Sequence, residues 1–505
     1  MPELKSALVK AMQQADFYPH AVDHINMLQT HAAWIFLTGD FAYKLKKPVN
    51  FGFLDFSNLA KRQYFCNEEL RLNRRLAADL YLEVLPISED SDGRFRLESQ
   101  ENIRDYCLKM IQFSQSDLLG ERLQKDRFNP AWMDALAASI ASFHAQSGAS
   151  AAACRYGQKD ILQQHIDASL EVAARYAGHI IDESTLQTLR QRSKEQIEQH
   201  TALFAERIAA GRIRDCHGDL HLGNIALFDG QPLIFDCIEF NAEYRIIDTL
   251  NDAAFLIMDC QARDHSELAF RFLSRYLEHS GDYAGMPLLP LFLAYRAGVR
   301  GKVACLLAED SGIEEDKRIN KLDEAAHYFT LAGESLKNKT PRLFVIGGLS
   351  GSGKSHLALK GCGIEGAIII RSDATRKRIA KKYPDAPLYG EKMTERTYQS
   401  MFKAAKLLLE AGFPVMLDAT FLHREFRMQA RQIAARENVK YSLLWLDVPE
   451  ETLRRNITRR CASGTDVSDA DLNILEHQLA AYQRPQEDGV RYLLNADSWP
   501  DIHAD

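Results

Sequence analysis

Two short stretches of this chain carry side chains whose types and spacing suit work on phosphate. The first is Gly348-Leu349-Ser350-Gly351-Ser352-Gly353-Lys354-Ser355, a G-x-x-x-x-G-K-[ST] string that follows the apolar run RLFVIG and precedes a helical run. Glycines let backbone N–H groups approach phosphate oxygens, and the helix that follows adds its positive end. Lys354 is placed to reach the β- and γ-phosphates and Ser355 to bind Mg²⁺, so the string predicts ATP or GTP binding.

The second stretch is His217-Gly218-Asp219-Leu220-His221-Leu222-Gly223-Asn224, followed by the strand-like LIFD ending at Asp236. Phosphoryl transfer needs an acid group to receive the acceptor proton and oxygen ligands for Mg²⁺. Asp219 can supply the first, and Asn224 and Asp236 the second. His217 and His221 have the spacing of a metal-binding pair on a helix, but they fall in a loop and read as structural residues.

The region after the glycine-rich string offers further groups. Ser372-Asp373-Ala374-Thr375-Arg376 follows the next apolar run. Asp373 can accept a proton from an acceptor hydroxyl, and Arg376, one turn on, can hold an anionic substrate or developing charge. The plainer reading is a helix start capped by Asp373. Asp418 ends the run FPVML, where it can orient Mg²⁺ through water or merely cap a strand. Arg454, Arg455, Arg459 and Arg460 lie on one helical stretch, with Arg455 and Arg459 on one face, as a lid over phosphates or as a solvated basic face.

Taken together, the glycine-rich loop, SDxxR, LDAT and RNITRR resemble the small P-loop kinases that include polynucleotide kinase, zeta toxins and chloramphenicol phosphotransferase. That resemblance covers nearly all of residues 341 to 505. It implies Asp373 as acceptor base, Arg376 as substrate contact and Arg455 or Arg459 as lid arginine. HxDxxxxN with a later apolar run ending in Asp resembles the catalytic and metal loops of aminoglycoside and choline phosphotransferases, relatives of protein kinases. A site of that kind also needs a lysine on a small-lobe strand, held by a helix carboxylate. Lys44 in FAYKLKK is the best match, Lys46 shares its face by period-two alternation, and Glu69 or Glu68 in CNEELRLNRRL is the partner. The resemblance puts the adenine hinge near Met110 to Gln112. No G-x-G-x-x-G precedes Lys44, and the nearest turn signal is Gly39-Asp40. The whole chain resembles bacterial fusions of an aminoglycoside phosphotransferase-like domain with a C-terminal P-loop kinase domain.

The elements that must position these groups are legible in outline. Residues 34 to 47 read as a hairpin turning at Gly39-Asp40, followed by a helix from the candidate cap Ser57 to about Leu76. YLEVLPIS and RDYCLKMIQF are extended runs flanking an Asp92-Gly93 turn. Helical periodicity then dominates near 129 to 147, 159 to 176 and 182 to 210, is interrupted by two short strands around Asp229-Gly230, and resumes to about 335. Beyond LKNKTP, the runs RLFVIG, GAIII, FPVML, YSLLWL and VRYLL alternate with helical segments, the pattern of a parallel sheet covered by helices. The expected fold is an α+β bilobal kinase-like domain (lobes 1 to 116 and 117 to 333), a linker at 334 to 341, and an α/β P-loop domain at 342 to 505.

Composition limits the functions available to such a chain. Of 505 residues, 46% are hydrophobic and 26% charged, which excludes disordered, collagen-like and coiled-coil classes. Lys plus Arg total 62 against 69 Asp plus Glu, a net charge of −7 that offers no global attraction to nucleic acid or anionic lipid. Residues 341 to 505 hold 24 Lys plus Arg and 21 Asp plus Glu, a balance of +3, leaving 38 against 48, or −10, before them. The nine cysteines form no C-x-x-C pair and suit reduced thiols, with Cys216 and Cys237 as small core residues. His144 reads as a packed helix histidine, and Asp248 and Asp252 as anchors of the helix beside the catalytic loop. The first residues resemble neither a signal peptide nor an anchor, so a cytoplasmic protein without membrane partners is expected. The expected activity is Mg²⁺-dependent transfer of the ATP γ-phosphoryl group to small-molecule hydroxyls by both halves. The alternatives are a 5′-hydroxyl nucleic-acid kinase regulated by the first domain, and a nucleotide-sensing module in one half.

Overall fold

A computed structural model describes residues 2 to 502, apart from Phe53, Glu98, 149 to 152, Ser311, 338 to 339 and 464 to 470. Residues 338 and 339 of the expected linker, and the side chain of Cys461, thus lie outside the described residues. The chain divides into two compact units. One comprises Met1–Trp132, Gln146–Gly157 and Ala210–Asp252, the other Met133–Ala145, Gln158–Ala209 and Ala253–Asp505.

The first unit is built on a six-stranded antiparallel sheet of β1 (Asn26–Gln29), β2 (Ala33–Leu37), β3 (Phe41–Lys46), β4 (Tyr81–Glu89), β5 (Phe95–Leu97) and β6 (Ile103–Ile111), in the order β1-β2-β3-β6-β4-β5. β2 and β3 form the hairpin expected at Gly39-Asp40. The Asp92-Gly93 turn joins β4 to the short β5, which has too few apolar residues to announce itself in sequence. One face of the sheet buries Phe36, Tyr43, Leu45, Leu85 and Cys107 against Leu8 and Met12 of the first helix. The helix Leu59–Ala77 crosses the other side. It is capped by Asn58, which accepts from Lys61 N at 2.9 Å, and not by Ser57 as the sequence suggested. Ser57 instead donates its N–H and hydroxyl to Asp55, closing the turn one residue earlier.

Also in this unit, β7 (Ile213–Asp215) pairs with β10 (Ile246–Asp248), and β8 (Ile225–Phe228) forms a hairpin with β9 (Gln231–Ile234). Phe228, Leu233 and Phe235 pack beneath the sheet against Ala42, Leu80, Tyr81 and Leu108. That apolar contact holds the hairpin's edge beside Lys44 of β3.

The second unit contains the longer helices and the second sheet. The helix expected over 182 to 210 is two helices, Glu183–Gln199 and Thr201–Ala209. His200 leaves helical geometry between them, and the Thr201 hydroxyl donates back to Glu198 O, a local bond that competes with the helix ladder. The parallel sheet consists of β11 (Arg342–Gly348), β12 (Ile368–Arg371), β13 (Val415–Asp418), β14 (Lys440–Leu446) and β15 (Val490–Leu493), ordered β12-β13-β11-β14-β15. Its central strands β11 and β13 are apolar apart from Arg342 and Asp418 at their ends, as a sheet covered on both faces requires. The helix Ser266–Ser280 covers the β12 edge, where the Ser274 hydroxyl accepts from Ile369 N at 3.0 Å and so satisfies an edge N–H. Gly363 lets this helix approach closely, because a Cβ there would lie 2.6 Å from Glu267 Cα. Among the described residues, no helix is long and apolar enough to cross a membrane.

Candidate active sites

In the first unit the sequence left Lys44 and Lys46 as alternatives, and the fold puts both on one face of β3. Lys44 Nζ donates to Glu69 Oε1 at 2.7 Å and to Asp236 Oδ1 at 2.6 Å. Lys46 Nζ donates to Glu69 Oε2 at 2.5 Å and to Glu239. The four-residue chain Asp236–Lys44–Glu69–Lys46 therefore has one carboxylate shared by two ammonium groups. Burial opposes both charges, but Asp236 and Glu69 hold the Lys44 pKa well above its usual value. Burial likewise opposes the Glu69 carboxylate, and the two lysines bring its pKa down to about 2. Glu68 faces elsewhere, paired with Arg71 at 2.6 Å. Glu239 was not read from sequence: it stands in a loop, and nothing in its local pattern marks it.

The catalytic-type loop is held from behind. Asp252 is fully buried and accepts from the backbone N–H groups of His217 (3.1 Å) and Gly218 (2.8 Å), the anchoring expected of it. Asp248 accepts from Leu250 N at 2.8 Å. His217 Nδ1 accepts from Asp219 N at 3.3 Å, which leaves Nε2 to donate to Phe235 O at 3.0 Å, and burial keeps its pKa low. His221 Nδ1 accepts from Gly223 N at 3.1 Å, with Nε2 3.4 Å from Asp219 Oδ2. Each histidine is thus committed to orienting the loop. Asn224 donates its amide N–H to Asp219 Oδ2 at 2.9 Å and its backbone O accepts from Phe235 N at 3.0 Å, so the β8–β9 ladder puts Asn224 and Asp236 side by side. Asp236 sits at φ 63°, with its N–H donated to the Tyr81 hydroxyl at 3.1 Å.

Asp219 and Asn224 are thus bonded to each other, as are Asp236, Lys44 and Glu69, and the Phe235–Asn224 backbone bond brings the two groups together. The oxygen donors are the half-exposed carboxylates of Asp219 and Asp236 and the buried Asn224 amide, the chemistry Mg²⁺ takes. The hinge reading fares differently. Ile111 N already donates to Leu80 O and Gln112 N to Asp40 O, both at 2.9 Å, so these two N–H groups close the sheet and do not face a base. Cys216 and Cys237 are core thiols, burial pushing Cys237 up to about 12.

In the second unit, β11 runs into the glycine-rich loop, and Gly348, Gly351 and Gly353 all take positive φ (141°, 81° and 92°). A Cβ on Gly351 would lie 2.7 Å from Leu453 O. Ser350 is pinned by Gln478, which accepts from its N–H at 2.9 Å and donates to its hydroxyl at 3.0 Å. Gln478 had no sequence signal, since a lone glutamine on a helix has no motif. Ser352 Oγ is buried inside the loop. Lys354 Nζ donates to Leu349 O at 2.9 Å, and burial lowers its pKa. Ser355 Oγ donates to Asp418 Oδ2 at 2.6 Å across 63 residues, where burial raises the Asp418 carboxyl. This pair of hard oxygens, one in the first turn of the helix Lys354–Glu365 and one at the end of β13, again fits Mg²⁺.

Asp373 and Arg376 occupy the helix Ser372–Ala380, which starts directly from β12. Both line one cavity of about 1200 Å³ together with Lys354, Ser355 and Asp418. Of the four arginines on the helix Glu450–Ser463, Arg459 and Arg460 line this cavity, and Arg454 is spent on Glu450 and Glu476. Arg455 is exposed and outside the lining, so the face turned to the loop is that of Asn456, Arg459 and Arg460. Asn456 donates to Gly351 O at 2.9 Å, which fixes that face over the loop. His144, in the same unit, is packed, with Nδ1 2.9 Å from the Tyr276 hydroxyl.

Comparison with known proteins bears on the domains that carry these two sites. Residues 66–289 match the phosphotransferase enzyme family and residues 343–485 an AAA domain. Uncharacterized proteins of Mycobacterium tuberculosis (strain H37Rv) and Mycobacterium bovis are each 31% identical over 419 residues, covering 81% of this chain and 81% of theirs. The chain belongs to their family. It joins an aminoglycoside phosphotransferase-like domain to a C-terminal P-loop kinase domain, and by both it is a phosphotransferase. A solved choline/ethanolamine kinase family protein from Mesorhizobium loti is similar with a TM-score of 0.40 at 14% identity, over 65% of this chain and 99% of that one. The APS kinase of Mycobacterium tuberculosis, solved with AMPPNP and APS, is similar with a TM-score of 0.24 at 21% identity, over 31% and 89%.

Proposed function

We propose that this phosphotransferase is bifunctional and cytoplasmic, with residues 1–333 and 342–505 each transferring the γ-phosphoryl group of ATP to a hydroxyl of a small-molecule metabolite. What supports this reading is that each half gathers, at one edge, an acceptor carboxylate, a phosphate-gripping lysine and paired hard oxygens. In either half the acceptor oxygen attacks the γ-phosphorus, an O–P bond forms as the β–γ bridging bond breaks, and ADP leaves with the bridging oxygen. The hydroxyl proton goes to Asp219 in the first half and to Asp373 in the second.

Lys44, steadied by Glu69, and Lys354 grip nucleotide phosphates, and Arg376 with Arg459 and Arg460 meets charge on the transferred group and acceptor. Asn224 and Asp236, and Ser355 with Asp418, would hold Mg²⁺, which neutralises phosphate charge when bound.

The test is incubation with ATP, Mg²⁺ and a metabolite extract. Asp219→Ala and Lys354→Ala should each abolish a different phosphorylated product, and two variants that leave every product unchanged would refute the two-kinase reading. Phosphorylation of RNA or DNA 5′ ends in place of metabolites would redirect the second half to nucleic acid.

A further inference from the structure

The cavity around the glycine-rich loop is larger than a nucleotide's phosphates require, and part of its wall comes from outside the P-loop kinase segment. Arg271, Arg275 and His279 line it from the helix Ser266–Ser280. Their spacing of four residues sets them in one stripe along a helix face. This helix lies inside the stretch matched to the phosphotransferase family, whereas the AAA-domain match starts only at residue 343.

The helix is not loosely apposed to the sheet. Beside the Ser274–Ile369 bond, Glu278 accepts from Arg371 Nε at 2.6 Å and from Arg275 Nη1 at 3.0 Å. Arg371 ends β12, two residues before Asp373, so one carboxylate ties the stripe to the strand that carries the acceptor base. Arg275 and Glu278 are themselves buried, which makes the tie a fixed part of the wall.

Charge then defines what the cavity can take. Seven Lys and Arg side chains line it against three carboxylates, Asp134, Asp373 and Asp418, an excess of four. Counting Glu278 behind the wall leaves three. Nucleotide with its magnesium brings about two negative charges, so at least one positive charge stays unmatched by nucleotide. Arg376 marks where it would act. It lines the cavity, is held in place by Nη1 donating to Leu388 O and Thr394 Oγ1 at 3.2 Å each, and is 8% exposed. A guanidinium that lines a cavity keeps its charge there, and an anionic oxygen is the group that best pairs with it.

We infer that the acceptor of the second site is an anionic small molecule, a phosphate monoester or a carboxylate, held between Arg376 and the Arg271–Arg275–His279 stripe. This rests on the reading of residues 342–505 as a kinase. The site is thus completed by a helix of the phosphotransferase segment. A phosphorylated acceptor is also the product class of a hydroxyl phosphotransferase, the reaction proposed for the first half.

The test uses the full chain saturated with AMPPNP and Mg²⁺ and titrated in a calorimeter with inorganic phosphate, acetate and glycerol. At least one anion should bind and glycerol should not, with the stronger anion naming the acceptor's charged group. Arg271→Gln, which loses one charge-assisted bond, and His279→Asp, which adds a negative charge to the stripe, should each weaken anion binding by about tenfold or more. His279 is exposed, so its substitution keeps the test valid even if Arg271→Gln, which also loses Asp134, melts. Glycerol binding as well as the anions, failure of both anions, or anion affinities unchanged in a folded variant would overturn the inference. AMPPNP stoichiometry separates the two readings: if Lys354→Ala removes no nucleotide site, the kinase reading itself falls.

Discussion

Lys46 and Glu239 form a buried ion pair two residues along β3 from Lys44, the lysine that reaches Asp236. Both lysines share Glu69, but only Lys44 touches a group of the metal-type set. Their substitutions should therefore separate chemistry from folding. Lys44→Met should lower first-site phosphoryl transfer by about a hundredfold or more. Lys46→Met should instead cost about 3 kcal/mol of stability, because it leaves Glu239 a buried carboxylate without its ammonium partner. Product formation and denaturant unfolding on both variants check this, and equal activity losses with equal stabilities would contradict it.

Gly218 is a second place where geometry fixes the outcome. It takes φ 88°, and a Cβ would lie 2.8 Å from Tyr244 O, a backbone atom that cannot swing away. Gly218→Ala should destabilise the first unit by about 1 to 3 kcal/mol and displace Asp219, lowering first-site turnover while the second-site product still forms. Comparing both products in one reaction mixture tests it.

Glu69 gives a pH dependence of known sign. Its folded pKa lies near 2, below the ordinary 4.5. A depressed carboxyl contributes stability that is fully present above the unfolded pKa and is lost as pH falls towards the folded one. Glu69→Gln should be less stable than the parent at pH 7, and the gap should narrow between about pH 4.5 and 2. Urea unfolding across that range measures the gap, and a constant difference would exclude Glu69 as its source.

How much of this was legible beforehand follows from where the information sits. The glycine-rich string, Asp219, Asn224 and Asp236 are local patterns whose spacing survives folding, so the sequence located them. The strands β2, β3, β8 and β9 announced themselves through Gly39-Asp40 and Asp229-Gly230. Glu239, Gln478 and the Arg271 stripe gave no signal, because each acquires its role from a partner far along the chain. For Arg455 and Arg459, helical spacing fixes that two residues share a face but not which face meets the loop, and the resemblance left the two as alternatives. The cap moved from Ser57 to Asn58 because both are good caps and Asp55 claimed the serine.

Asp418 shows the stability cost of a site arranged for phosphate. Burial raises its carboxyl above the ordinary value of 3.8, so at neutral pH the folded protein carries a carboxylate in a place that disfavours it. For a raised carboxyl the favourable contribution is present below the unfolded pKa and is lost as pH rises through the folded pKa. Asp418→Asn keeps an oxygen that can accept from Ser355 while removing that charge. The variant should melt higher than the parent at pH 7, with the advantage fading as pH falls towards 3.8 and gone below it. Its second-site phosphoryl transfer should fall by about a hundredfold, and its Mg²⁺ requirement should rise, because one of the two hard oxygens has lost its charge. Melting curves at pH 7 and pH 3.5, set beside a Mg²⁺ titration of second-site product, decide the matter. A variant that melts lower at pH 7 would show that the Ser355–Asp418 pair is held for stability and not for function.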